Sequence, residues 1–302
     1  MYFLFFRVTL HFCGAVTLFL LLHNNTLAQK KVIGLVLNKQ NGTPVPFAVI
    51  TDEKKHWGTN SDKNGQFIIE NTSIGDTLVV ACLGYFEYKI PFSKWEESTT
   101  VYLIEKSIKL SEVVVENKRK KHKIWLGSLE KKTTFITGQL AHNEIQEMAL
   151  LIPNYLQVDG YIEKVGFWID RFGAPKTPFR VRVYKNNNGF PGEDLLIENL
   201  ITHAKSGNRW FDIEIGKYNI PFPNEGFFIA MEWINTKNPK YAFKVEFPNK
   251  VMKTYYGQHI GKTKEFNEYN GRIRNNNGDW KIDRKHRIFK NPMMRAQIQV
   301  YE

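Results

Sequence analysis

The histidines are the first residues to test for chemistry. Past position 28 there are six, His56, His122, His142, His203, His259 and His286, and no two stand four apart. A zinc protease sets His-Glu-x-x-His on one helix face so that two imidazoles converge on the metal. That motif is absent, and so is the His-x-x-Glu pair that a carboxypeptidase zinc site requires. There is no Gly-x-Ser-x-Gly elbow to expose a nucleophilic serine. Gly257-Gln-His-Ile-Gly261-Lys262-Thr263 has the end residues of a phosphate-binding loop. It has three residues between the glycines where that loop needs four, and it sits among β-type alternation, so its amides would not cradle a phosphate. Paired acids occur at Asp52-Glu53, Glu96-Glu97 and Glu193-Asp194, each in a predicted turn where acids are solvated. Glu193, Asp194 and loop carbonyls have the ligand type for calcium, but their spacing is no calcium motif. The residues predict no catalytic group, no metal and no cofactor.

Binding is better served. Of seven tryptophans, Trp168, Trp210 and Trp233 lie in or beside predicted strands and read as core. Trp57 precedes a loop glycine, and Trp95 and Trp280 have polar neighbours. Those three are the candidates for an exposed ring that stacks on a ligand such as a sugar. The cysteines are Cys13 and Cys82. Cys13 falls in a leader, so the mature chain keeps one thiol and forms no internal disulfide or cysteine-based zinc site. Cys82 lies in the apolar run Leu78–Leu83 and reads as buried and inert.

The elements that position these residues follow from composition and turns. The 302 residues, 42% hydrophobic and 14% aromatic, supply two cores and exclude wholesale disorder. Residues 1–28 hold Arg7, an apolar run from Val8 to Leu22, and the small residues Thr26 and Ala28. That is a secretory leader cut between Ala28 and Gln29, or an N-terminal anchor if it stays uncut. The net charge of +12 is uneven: residues 29–115 hold ten basic and ten acidic residues, and the excess lies beyond them. For an exported chain, a basic surface is first of all a solvated face, and as a binding surface it suggests anionic lipid or acidic glycan and not nucleic acid.

From residue 30 to 115, short apolar runs are punctuated about every ten residues by turn signals. They are Asn41-Gly42, Pro44 and Pro46, Asp62-x-x-Gly65, Gly75-Asp76 and Gly84-Tyr85. Gly34-x-Val36, Gly42-Thr-Pro44-Val-Pro46-x-Ala48, Gly58-Thr59, Asp62-x-x-Gly65-x-Phe67 and Gly75-Asp76-x-Leu78 together resemble the carboxypeptidase-regulatory-like domain. The resemblance implies a seven-stranded, transthyretin-like sandwich common in exported proteins of Bacteroidota-type bacteria, a companion module with no catalytic residue of its own. Leu110–Val115 is similar to the segment that follows this domain in TonB-dependent receptors.

Glu116–Lys123 is polar and basic and reads as a linker, with a membrane-surface contact as its functional alternative. Residues 139–152 fit a short helix or a strand into Pro153. From 124 to 302, alternation with period two dominates: Phe179, Val181 and Val183 against Arg180, Arg182 and Tyr184, and Met294, Ala296, Ile298 and Val300 against their polar neighbours. This predicts a second antiparallel sandwich, of jelly-roll type. The whole reads as an all-β, non-catalytic, exported envelope protein that binds or supports a protein or glycan partner. Two alternatives stand beside it: an enzyme with its site on the second domain's loops, and a component associated with a TonB-dependent outer-membrane receptor.

Overall fold

The structure, a computed structural model, describes residues 32–54, 56–70, 77–91, 94, 98–106, 121–140, 144–263, 270–282 and 291–301. The first domain is built from β1 (Val32–Asn38), β2 (Val49–Asp52), β3 (Gly58–Asn60), β4 (Gln66–Ile69), β5 (Thr77–Ala81), β6 (Tyr88–Pro91) and β7 (Ser98–Leu103). They form two sheets, in orders β4-β1-β7 and β3-β2-β5-β6. Val32, Val36, Ile50, Phe67, Leu78, Val80, Val101 and Leu103 pack between them. All pairs are antiparallel except β1 with β7, which is parallel.

The turn residues do what their chemistry predicts. The Asp62 carboxylate accepts from the amides of Asn64 and Gln66 at 2.8 and 2.9 Å, and Gly65 takes the positive φ of 76° that closes the turn. Gly34 is a matter of space. A Cβ there would lie 2.0 Å from a ring carbon of Phe67, so the ring closes the core only over a bare backbone.

The second domain follows as β8 (Lys121–Gly127), β9 (Phe135–Leu140), β10 (Gln146–Ile152), β11 (Gly160–Gly173), β12 (Phe179–Asn187), β13 (Phe190–Asp194), β14 (Ile201–Thr202) and β15 (Arg209–Glu214). After these come β16 (Phe227–Trp233), β17 (Ala242–Glu246), β18 (Met252–Thr263), β19 (Gly271–Asn275), β20 (Lys281–Ile282), β21 (Asn291–Pro292) and β22 (Met294–Tyr301). One sheet runs β13-β12-β16-β10-β19-β20 with β14 also on β12; the other runs β17-β18-β11-β22-β8 with β9, β15 and β21 attached. The alternating apolar residues of β12, β16, β11 and β22 meet between the sheets with Met148 and Leu150 of β10. The residues 146–152, open between helix and strand in sequence, are a strand paired on both sides.

Strand β16 is buried along its whole length. Its outward residues Phe228 and Ala230 pack with Ala149 and Tyr184 in a separate small cluster. A sheet covered on both faces carries continuous apolar runs, as Phe227–Met231 does. Lys121–Lys123, expected in the linker, begin β8 and pair with β22, and Lys123 contacts Glu163 at 3.1 Å. No α-helix is present among the described residues, and none of them forms a helix long and apolar enough to cross a membrane.

Candidate functional site at the domain junction

The outward residues of β12, β16 and β10 are not a solvated face. Arg180 and Glu232 are fully buried and form an ion pair. Arg182 reaches the other Glu232 oxygen at 3.3 Å and Asp194 at 2.6 Å. Further along the sheet, the Tyr184 hydroxyl donates to Glu147 at 2.6 Å, and Arg274 donates to Glu147 at 2.7 Å and to Tyr184 at 2.8 Å. Burial alone would raise the Glu232 carboxyl; the guanidinium groups of Arg180 and Arg182 outweigh it and hold the carboxyl below its usual range. Asp194 has Arg182 beside it, yet burial prevails and pushes it up to about 6. Burial raises Tyr184 well above the usual phenol range. Both Glu232 oxygens are engaged and inaccessible, so this carboxylate serves as a counter-ion and not as an acid or base for a bound substrate.

The cluster reaches into the first domain. Arg180 donates to the carbonyl of Phe47 and, at 2.6 Å, to Asn199 Oδ1. Phe47 follows Pro46 in a turn and has φ of 58°, a place glycine usually takes. Holding a bulky residue there costs on the order of 1 kcal/mol and aims its carbonyl at Arg180. Asn60 and Asn235 close a second bridge. The Asn235 amide donates to Asn60 Oδ1 at 2.9 Å, and the Asn60 amide donates to the Asn235 carbonyl at 3.2 Å. Lys237 and Glu70 lie 3.8 Å apart.

Beside this junction lies a cleft of about 1100 Å³. Phe47 of the first domain forms one side. The turn Gly173–Pro178, the segment Ile201–Ser206 beginning with β14, and Lys240-Tyr241 form the rest. Its walls are apolar at Phe47, Ala174, Pro175, Pro178 and Ile201, and among the described residues its charged lining is Lys176, Lys205 and Lys240, with His203 and no carboxylate. A smaller groove of about 240 Å³ on the first domain is edged by Phe86, Tyr88, Tyr102 and Ile104.

The stacking candidates are not brought together. Trp57 is 4% exposed and sits in the first domain's core, where its backbone amide donates to Asp52 at 3.1 Å; the loop glycine after it begins β3. Its ring therefore has no free face, contrary to expectation. Trp280 is half-buried, edge-on to Tyr184 at 5.7 Å with the Arg274 guanidinium 4.5 Å from its centroid. Trp95, the cleavage residues Ala28 and Gln29, the acids Glu96 and Glu97, and Leu110–Val115 lie outside the described residues.

Two acid pairs also differ from expectation. Asp52 is buried and holds His56 at 3.1 Å, and Asp194 is tied to Arg182. No group of three or more His, Cys, Asp or Glu among the described residues could hold a metal. Cys82 is buried, as expected, and burial raises its thiol. Sequence alone missed Arg180, Arg182, Glu147 and Glu232. The available signal was opposite charge at outward positions of strands whose inward positions are strongly apolar.

His259 lies buried in β18. It is 5% exposed, edge-on to Phe243 and Tyr255 at 5.3 Å each, with no hydrogen-bond partner on either ring nitrogen. Burial lowers it below the usual imidazole range.

Fold and site define a two-domain all-β protein with a basic cleft at its domain junction. Within it, residues 32–115 match the family model described as the CarboxypepD_reg-like domain. No curated protein matches the chain. Among solved structures, it is similar to the cysteine protease and lectin-like domains of Cwp84, a surface layer associated protein of Clostridium difficile. That likeness has 15% identity and TM-score 0.39, and covers 59% of this chain and 36% of that one. A second structure, the Clostridial cysteine protease Cwp84 after propeptide cleavage, gives 15% identity, TM-score 0.36, and 59% and 40% coverage. The chain thus spans well under half the length of either, and likenesses of this size carry no argument about function.

Proposed function

We propose that this protein is a non-catalytic exported accessory module whose junction cleft holds an extended anionic partner at the cell envelope. The observation that supports it most is the cleft itself: apolar walls from both domains with three lysines and a histidine and, among the described residues, no carboxylate in the lining. Buried area orders a ligand along the walls, and the lysines steer and select its charge. The leader with its small residues before Gln29 supports export. The buried ion cluster supports a holding role over a catalytic one, because its carboxylates are engaged by arginines of the same sheet. The test is equilibrium binding of two anionic probes, an oligogalacturonate and an alternating Glu/Val decapeptide, to the purified protein and to its Lys176→Glu/Lys205→Glu variant. At least one probe binds the wild type, and the variant loses it. If neither probe binds at millimolar concentration, or the variant binds equally, the reading fails.

A further inference from the structure

We infer that the occupant of the cleft is an extended acidic peptide segment of a partner protein, which pairs with the free edge of β14. The inference rests on the cleft's being the binding site and names what fills it. Strand β14 pairs with β12 on one side, through Phe179 with Thr202 and Arg180 with Ile201, and no strand among the described residues pairs with its other side.

The register decides where the backbone points. The Val181 amide donates to the Leu200 carbonyl at 3.0 Å. In an antiparallel ladder, residues opposite each other alternate between bonded and non-bonded pairs. The Leu200 carbonyl faces β12 while its amide donates to the Glu198 carbonyl at 2.9 Å, Thr202 by the same register turns toward β12, and Ile201, a residue of the cleft lining, turns both of its groups away from β12. An unpaired strand edge is a template for a further strand, and an added peptide gains main-chain hydrogen bonds there while alternate side chains find pockets.

Two further features favour a peptide over a sugar. Tyr241, the tyrosine of the cleft, carries the Lys240 ammonium over its ring at 4.6 Å and has Tyr256 edge-on at 6.2 Å, which leaves a poor platform for stacking a sugar face. The charged lining is cationic, with Lys176 on the turn, Lys205 on the segment that continues β14, and Lys240, so acidic side chains of an added strand meet lysines within the cleft.

The experiment compares three probes by fluorescence anisotropy or calorimetry on the full purified protein: the alternating Glu/Val decapeptide, the same peptide N-methylated at alternate amides, and an oligogalacturonate. The acidic peptide is expected to bind, to weaken about tenfold or more in Lys176→Glu/Lys205→Glu, and to lose binding on N-methylation. An unchanged melting temperature shows that the variant is folded. Equal binding of the N-methylated peptide overturns strand pairing. Binding of the oligogalacturonate alone, lost in the same variant, overturns the peptide inference while the cleft reading stands. Binding of none of the three overturns both.

Discussion

Removing the Glu232 charge is the sharpest perturbation of the junction. Glu232→Gln keeps the shape and leaves two guanidinium groups facing a neutral amide. Arg182 retains Asp194 at 2.6 Å. Arg180, 1% exposed, retains only the neutral acceptors Asn199 Oδ1 and the Phe47 carbonyl. Breaking a buried ion pair by removing one partner costs about 3–5 kcal/mol, because the orphaned charge stays desolvated. Hydrogen bonds left to Arg180 offset part of this, so we expect about 3 kcal/mol. For a domain of this size that lowers Tm by roughly 6–12 °C. The assay is calorimetry of wild type, Glu232→Gln, and Arg180→Met/Glu232→Met. Replacing both ions by apolar groups removes the orphan, so the double variant recovers most of the loss. A Glu232→Gln loss below about 1 kcal/mol, or a double variant worse than the single one, would refute the reasoning, since the pair would then be solvated.

Asp194, pushed by burial to about 6, binds a proton in the folded state where the unfolded chain does not. Its contribution therefore makes the protein more stable as pH falls from 6 toward 4, by up to roughly 3 kcal/mol; Asp194→Asn flattens that part of the urea-melt profile. His259 acts with the opposite sign. Its folded pKa is lowered, so stability is lost as pH falls below the unfolded value of 6.5. The loss shows as the difference between wild type and His259→Phe in melts at pH 7.5 and 5.5. Gly34→Ala drives a methyl into the Phe67 ring and is expected to cost about 1–3 kcal/mol, read from the shift in denaturation midpoint.

The first domain was legible because its information is local. Asp62 and Gly65 specify their turn by side-chain acceptance and positive φ, and alternation in β1 specifies its core face. The second domain's core was legible for the same reason: Val181, Val183, Ile229 and Met231 announce an inner face by period two. The junction was not. Arg180 and Arg182 stand where a one-sided sheet puts solvated residues, and the sequence pattern cannot say that another domain lies over them. Trp57 failed similarly: it precedes a loop glycine in sequence, but its side chain is buried in the first domain's core. Ile201 as an edge is a fact of register, and register comes from long-range pairing that no local signal encodes.

The most direct test of the cleft as the binding site is amide hydrogen exchange across the whole chain with and without the acidic decapeptide. The account predicts added protection within 173–178, 201–206 and 240–241, largest at Ile201, and little change around Phe86, Tyr88 and Tyr102. Protection centred on that second groove, or no protection at Ile201 under saturating peptide, would contradict it.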